Sequence, residues 1–127
     1  MGPLQLARLY ALKSAWNATG LWPAGRALVE ALGSEDAGIR NVAGMFLVQS
    51  GLRAEPLIEE AIRRRENLLT VLVIAGDIGA ARLEPELRRL SADPDPDVAK
   101  AARDGLRILA AQCQPPSSGT PDRAARA

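Results

Sequence analysis

Four carboxylates near the C-terminal end of the chain are spaced like metal ligands. Asp93, Asp95 and Asp97 alternate, and Asp104 stands twelfth counting from Asp93, the order in which an EF-hand loop offers oxygens to calcium. That loop needs a glycine at its sharp turn, where this chain has Val98, and Pro94 and Pro96 stiffen its first half. A helix N-terminus accounts for the same letters, with Asp95 as cap and acidic groups facing the positive end of the helix dipole. We adopt the helix start and expect no metal.

Other reactive side chains are sparse. There is no histidine, which removes the commonest general base together with the commonest zinc ligand. The single cysteine, Cys113, excludes an internal disulfide and a cysteine cluster. It has no histidine to deprotonate it, and Arg107 lies a helical turn or more away, so an inert thiol is expected. No serine or threonine sits in a nucleophile elbow, and no glycine-rich loop matches a phosphate cradle. Gly76-Asp77-Ile78-Gly79 reads as the end of a structural repeat. No catalytic residue and no cofactor are expected, so the chain is not expected to be an enzyme.

Basic residues cluster at Arg63-Arg64-Arg65 and Arg88-Arg89, with Arg40, Lys100, Arg103 and Arg107 further along the chain. Sixteen Lys and Arg against fifteen Asp and Glu leave a formal charge of +1, too small for a field that would hold nucleic acid. Glu59, Glu60 and Glu84 stand where they can neutralise several of the arginines. Nucleic-acid binding is therefore disfavoured.

The elements that position these groups are helices. At 127 residues, 47% hydrophobic and 24% charged, the composition is that of one globular domain with a real core. Leu4, Leu6, Leu9, Tyr10, Leu12 and Trp16 recur at three- and four-residue spacings, predicting a helix that ends near Gly20. Pro23 opens a second helix that stops at Gly33, and Ser34 or Asp36 caps a third that closes at Gly51. Pro56 opens a fourth, Asn67 caps a fifth running to Gly76, Pro85 opens a sixth, and Asp95 with Pro96 begins a seventh through Leu109. Residues 1–111 form the expected domain. Residues 112–127, rich in proline, serine and glycine, are expected to be a disordered tail.

The longest apolar run, Leu68 to Ala75, is broken by Thr70 and falls short of the roughly 20 residues that span a bilayer. The N-terminus lacks a basic stretch followed by an apolar block. A cytoplasmic protein is expected.

Self-similarity is the strongest pattern. Superimposing Gly51 on Gly79 also places Leu47 on Ala75 and Ala43 on Val71, and a further step places Ala75 on Leu106 and Val71 on Ala102. Leu28 and Leu32 likewise fall on Ile58 and Ile62. Units of about 30 residues, each a helix pair, must stack because neither helix hides its apolar stripe alone.

This pattern resembles the HEAT repeat, in the short HEAT-like variety of phycobilisome lyase-type proteins within the armadillo-like superfamily. The residues that carry it are Asp93-Pro94-Asp95-Pro96-Asp97-Val98, then Ala101-Ala102 and Leu106, with Ile39-Arg40 and Ala43 in the first unit and Ala75 to Gly79 in the middle one. An arginine commonly follows the valine in that family, where this chain has Ala99. The middle unit loses the acidic-proline turn. The resemblance covers roughly residues 24–110. It implies an all-α, right-handed α-solenoid of about three HEAT-like helix pairs plus an N-terminal capping helix. It further implies a non-catalytic protein-interaction scaffold or regulatory module. The alternative is an accessory subunit resembling phycobilin lyases that presents a ligand or acceptor protein. Some HEAT-like proteins, such as the alkylpurine DNA glycosylases, hold DNA on a basic concave face. Here Tyr10, Trp16 and Trp22 fall in the N-terminal cap instead, where a plug for the first repeat is expected.

In this repeat type the second helix of each pair lines the concave face. Three rows of outward positions follow from the superposition: Asn41, Leu69 and Lys100; Gly44, Leu72 and Arg103; Val48, Gly76 and Arg107. An apolar strip at Leu69, Leu72 or Val73, flanked by Arg40, Lys100, Arg103 and Arg107, is the expected partner-binding surface. It suits an acidic, partly apolar segment of another protein or a second copy of the chain. The competing expectation is that the fifth helix, apolar nearly all round, is covered on every side.

Overall fold

The computed structural model describes residues 2–113, which contain helix and turns and no strand. The expected disordered tail falls almost wholly on 114–127, outside the described residues. The helices are α1 (Pro3–Thr19), α2 (Trp22–Ala31), α3 (Ala37–Ser50), α4 (Glu55–Arg64), α5 (Leu68–Asp77), α6 (Glu84–Leu90) and α7 (Pro96–Cys113). Helix α7 passes the expected end at Ala111 by two residues, and Gln112 Nε2 donates to the Gly76 carbonyl at 3.2 Å.

Start signals in the sequence act as expected at most helices. Asp36 caps α3, its Oδ1 accepting from the Gly38 and Ile39 amides at 2.7 and 3.3 Å. Asp95 Oδ1 accepts from the Asp97 amide at 2.9 Å, starting α7. Prolines stand in the first turns of α1, α2, α4 and α6, where no amide hydrogen is missed. Gly20 and Gly51, past α1 and α3, have φ of 67° and 60°, a region that side chains resist.

Asn67 departs from its expected role. Its side chain makes no cap bond to α5; instead Nδ2 donates to the Val29 carbonyl at the end of α2, at 3.2 Å. The turn before α5 contains no glycine, and two left-handed residues, Arg65 and Asn67, take its place. Gly33 leaves room for this reach, since a Cβ there would fall 2.7 Å from Asn67 Oδ1.

One repeated signal went unread in the sequence. Arg53-Ala54-Glu55-Pro56 and Arg82-Leu83-Glu84-Pro85 share the order Arg-x-Glu-Pro. Both run from a short 3-10 turn (Gly51–Ala54 and Ala81–Leu83) straight into an α-helix. Arg82 reaches back to Glu55 at 3.1 Å, while Arg53 donates to the Asn17 carbonyl. Buried Glu55 thus receives its counter-charge from the following copy of the motif.

Packing follows chain order with skips: α2 touches α4, α3 touches α5, and α5 packs most extensively on α7. The core runs continuously from Leu9 and Trp16 through Leu28, Phe46, Leu57, Ile62 and Val71 to Leu87 and Leu109. Helix α1 contributes less than its periodicity promises. Leu9 and Trp16 are buried, but Leu4 is 85% exposed and Tyr10 sits half outside, edge-on to Phe46. Trp16 meets Trp22 edge-to-face with ring centroids 6.3 Å apart, and it lies over Gly25 of α2.

Candidate functional site

Helix α5 decides where a surface site can lie. Leu68, Val71, Leu72, Ile74, Ala75 and Gly76 are buried, while Leu69 and Val73, one turn apart, are 46% and 54% exposed. Mean apolarity did not reveal this, because Leu69 and Leu72 are the same residue type one turn apart, and only the position of α7 buries one and leaves the other exposed. The expectation that α5 is covered all round is therefore overturned.

Leu72 is corrected with it. Its side chain is 0% exposed and lines no surface. The cause is the close approach of α5 and α7 at two glycines: a Cβ on Gly76 would fall 3.6 Å from the Gly105 Cα, and one on Gly105 would fall 3.7 Å from the Leu72 carbonyl. With no side chain between them, α7 leans over Leu72 and Gly76, and Ile108 covers the latter. The rows built on Leu72 and on Gly76 do not exist as outward rows. The row Asn41, Leu69 and Lys100 does.

Two shallow grooves flank Val73. Between α5 and α7, Leu69, Val73, Asp97, Lys100, Ala101 and Ile108 line one of about 310 Å³. Between α3 and α5, Arg40, Met45, Val48, Thr70, Val73 and Asp77 line one of about 350 Å³. Met45, Val48, Leu69, Val73 and Ile108 are the large apolar side chains left exposed on this face. Met45 and Ile108 stand outside the rows expected from the sequence, whereas Val48 belongs to one of them and is exposed. The i, i+4 register set by Leu69 and Val73 was the signal that would have found Met45.

The expected cationic flank is only partly there. Arg40 and Lys100 border the grooves. Arg103 instead donates toward the Ser91 carbonyl at 3.4 Å, and Arg107 lines a separate depression with Glu84 and Arg88. Lys100 Nζ lies 2.9 Å from Asp104 Oδ2, and Arg107 also pairs with Asp104. The Lys100 hydrogen bond leads the effects that hold the Asp104 carboxyl below the usual carboxylate range. Arg40 donates to the Ser34 and Glu35 carbonyls at 2.6 and 3.0 Å and meets no carboxylate among the described residues. The rim also carries Asp77 and Asp97, which meet no cation there. It is of mixed sign.

Three of the four EF-hand-like carboxylates, those of Asp93, Asp95 and Asp104, are engaged with donors. Asp93 accepts two hydrogen bonds from Arg65 and one from the Asp95 amide, while Asp95 caps α7. No group of three His, Cys, Asp or Glu side chains converges as a metal site among the described residues. The arginine runs are likewise paired: Arg63 with Glu59, Arg64 with Glu60, Arg65 with Asp93, Arg88 with Glu84 and Arg89 with Glu86. No helix among the described residues is long and apolar enough to cross a membrane.

No family model matches the chain, and no curated protein or solved structure matches it. The described residues form an all-helical fold that carries, across α3, α5 and α7, an apolar surface strip of mixed-charge border.

Proposed function

We propose that this is a non-catalytic protein-binding module, a right-handed solenoid of three HEAT-like pairs (α2–α3, α4–α5, α6–α7) capped by α1. The stacking of α2 on α4, and of α3, α5 and α7 in succession, supports the repeat reading. So does the recurrence of Arg-x-Glu-Pro. The observation that carries the binding role is the exposed row of Leu69 and Val73 between Met45 and Val48 on one side and Ile108 on the other. Contiguous apolar surface rimmed by polar groups marks an interaction site more often than chance exposure does. Shallow grooves of this size suit side chains of another protein better than an enclosed substrate.

Pairing of the arginine runs with glutamate and aspartate leaves no continuous basic track, which weighs against nucleic acid. The mixed rim favours a partner of mixed charge over a purely acidic one. Affinity capture from the native cell with the parent chain and with Leu69→Glu tests the reading. A partner retained by the parent, lost by a folded Leu69→Glu, and rebound as a purified protein supports it. Equal retention by both forms would remove this face from consideration.

A further inference from the structure

We propose that the α3, α5 and α7 face joins two copies of this chain, with Arg40 of each copy paired to Asp97 of the other across a two-fold axis running along α5. This rests on the reading of that face as the binding surface and names its occupant.

Charge complementarity within one face points to a second copy. Arg40, at the start of α3, has a guanidinium met only by carbonyls. Asp97, at the start of α7, has a carboxylate with no cation among the described residues. They border the two outer edges of the same apolar strip and have opposite sign. Helix α5 lies between α3 and α7, packed on both, so a two-fold axis along it lays α3 of one copy over α7 of the other. Both starts remain at the same end, and the repeat superposition sets each Arg40 level with Ala99, within two residues of Asp97 and beside Lys100, whose ammonium Asp104 already holds. Such an isologous contact repeats every favourable pair.

The apolar groups agree with the same axis. Leu69 and Val73 meet their own counterparts. The repeat superposition that sets Leu47 level with Ala75 and Leu106 sets Val48 level with Arg107, one residue from Ile108, so Val48 comes over Ile108 of the second copy. Three helices spaced about 10 Å apart and about three turns tall give a face of roughly 500 Å² per copy. The total is near the lower limit for a specific interface, so the dimer should be weak and reversible.

Sedimentation velocity on the full chain, over a concentration series into the high-micromolar range, tests this. The parent should show a reversible monomer–dimer equilibrium. Arg40→Asp alone and Asp97→Arg alone should each weaken it at least about tenfold, because each places like charges opposite one another twice. An equimolar mixture of the two variants should dimerise again, since both cross-pairs are then of opposite sign. Asp77 would face its own copy near the axis, so Asp77→Asn should tighten the dimer. Circular dichroism of each variant checks that the helices are intact. A mixture that stays monomeric while the parent dimerises would overturn the axis and the pairing. A parent that is monomeric throughout would overturn the second copy as occupant, while the capture experiment with Leu69→Glu would still decide the protein-binding reading on its own.

Discussion

Arg65 holds Asp93 through two parallel hydrogen bonds of 2.9 and 3.2 Å, joining the turn before α5 to the turn before α7. This fork-on-carboxylate geometry is the stronger form of an ion pair. It also explains why a left-handed arginine is tolerated, since φ of 53° aims the side chain along the stack. The same contact engages the first carboxylate of the EF-hand-like spacing.

The pair makes stability depend on acid. The Arg65 hydrogen bonds, and then the Asp95 amide, hold the Asp93 carboxyl below its usual value of 3.8. The unfolded chain therefore binds this proton at higher pH than the folded one. The contribution is complete above about pH 4 and is lost as pH falls through the lowered folded value. Asp93→Asn should flatten part of the acid limb of a thermal-melt series between about pH 4 and 2, leaving the slope near neutrality unchanged.

Backbone strain at Arg65 is separable from the ion pair. Arg65→Ala and Arg65→Gly both delete the guanidinium, but only glycine adopts positive φ without resistance. Arg65→Gly should be the more stable of the two by about 1 kcal/mol, read by chemical denaturation. Equal stability would mean that the turn relaxes out of the left-handed region.

Two helical glycines should respond oppositely to alanine. At Gly25 a Cβ would fall 2.7 Å from Leu57 Cδ1 and 2.8 Å from Trp16 Cε3, both in the core. Overpacking of about 1–3 kcal/mol exceeds the helix-propensity gain of about 1 kcal/mol, so Gly25→Ala should lower the melting temperature. At Gly44 the nearest atom would be Leu32 Cδ2 at 3.7 Å, an ordinary contact. Gly44→Ala should raise the melting temperature.

Leu69 and Leu72 form a matched pair for burial. Leu72→Ala opens a cavity in a fully buried site and should cost about 2–5 kcal/mol. Leu69→Ala, on the exposed side, should change stability by less than about 0.5 kcal/mol. Denaturant midpoints of the two variants check this directly.

Much of the fold was legible because its signals are local. Pro23, Pro56, Pro85 and Pro96, with Asp36 and Asp95, mark helix starts through bonds that lie within a few residues. The i, i+4 pairs of Glu59 with Arg63 and Glu60 with Arg64 follow from helix geometry alone. Helical class and element order needed nothing more.

The exposed apolar strip was legible only in part. Leu69 and Lys100 were placed correctly on one outward row, but Leu72, Arg103 and Arg107 were not on the strip. Which side of an all-apolar helix faces water depends on where its neighbours sit, and that depends on how closely their backbones approach. The contact of Gly76 with Gly105 draws α7 over Leu72 and leaves Leu69 and Val73 outside. Asn67 shows the same division. Its type suited a helix start, yet its amide bonds α2, because only the stacked chain brings the Val29 carbonyl within reach. Periodicity along the chain determined the helices; distances between them decided which residues they expose.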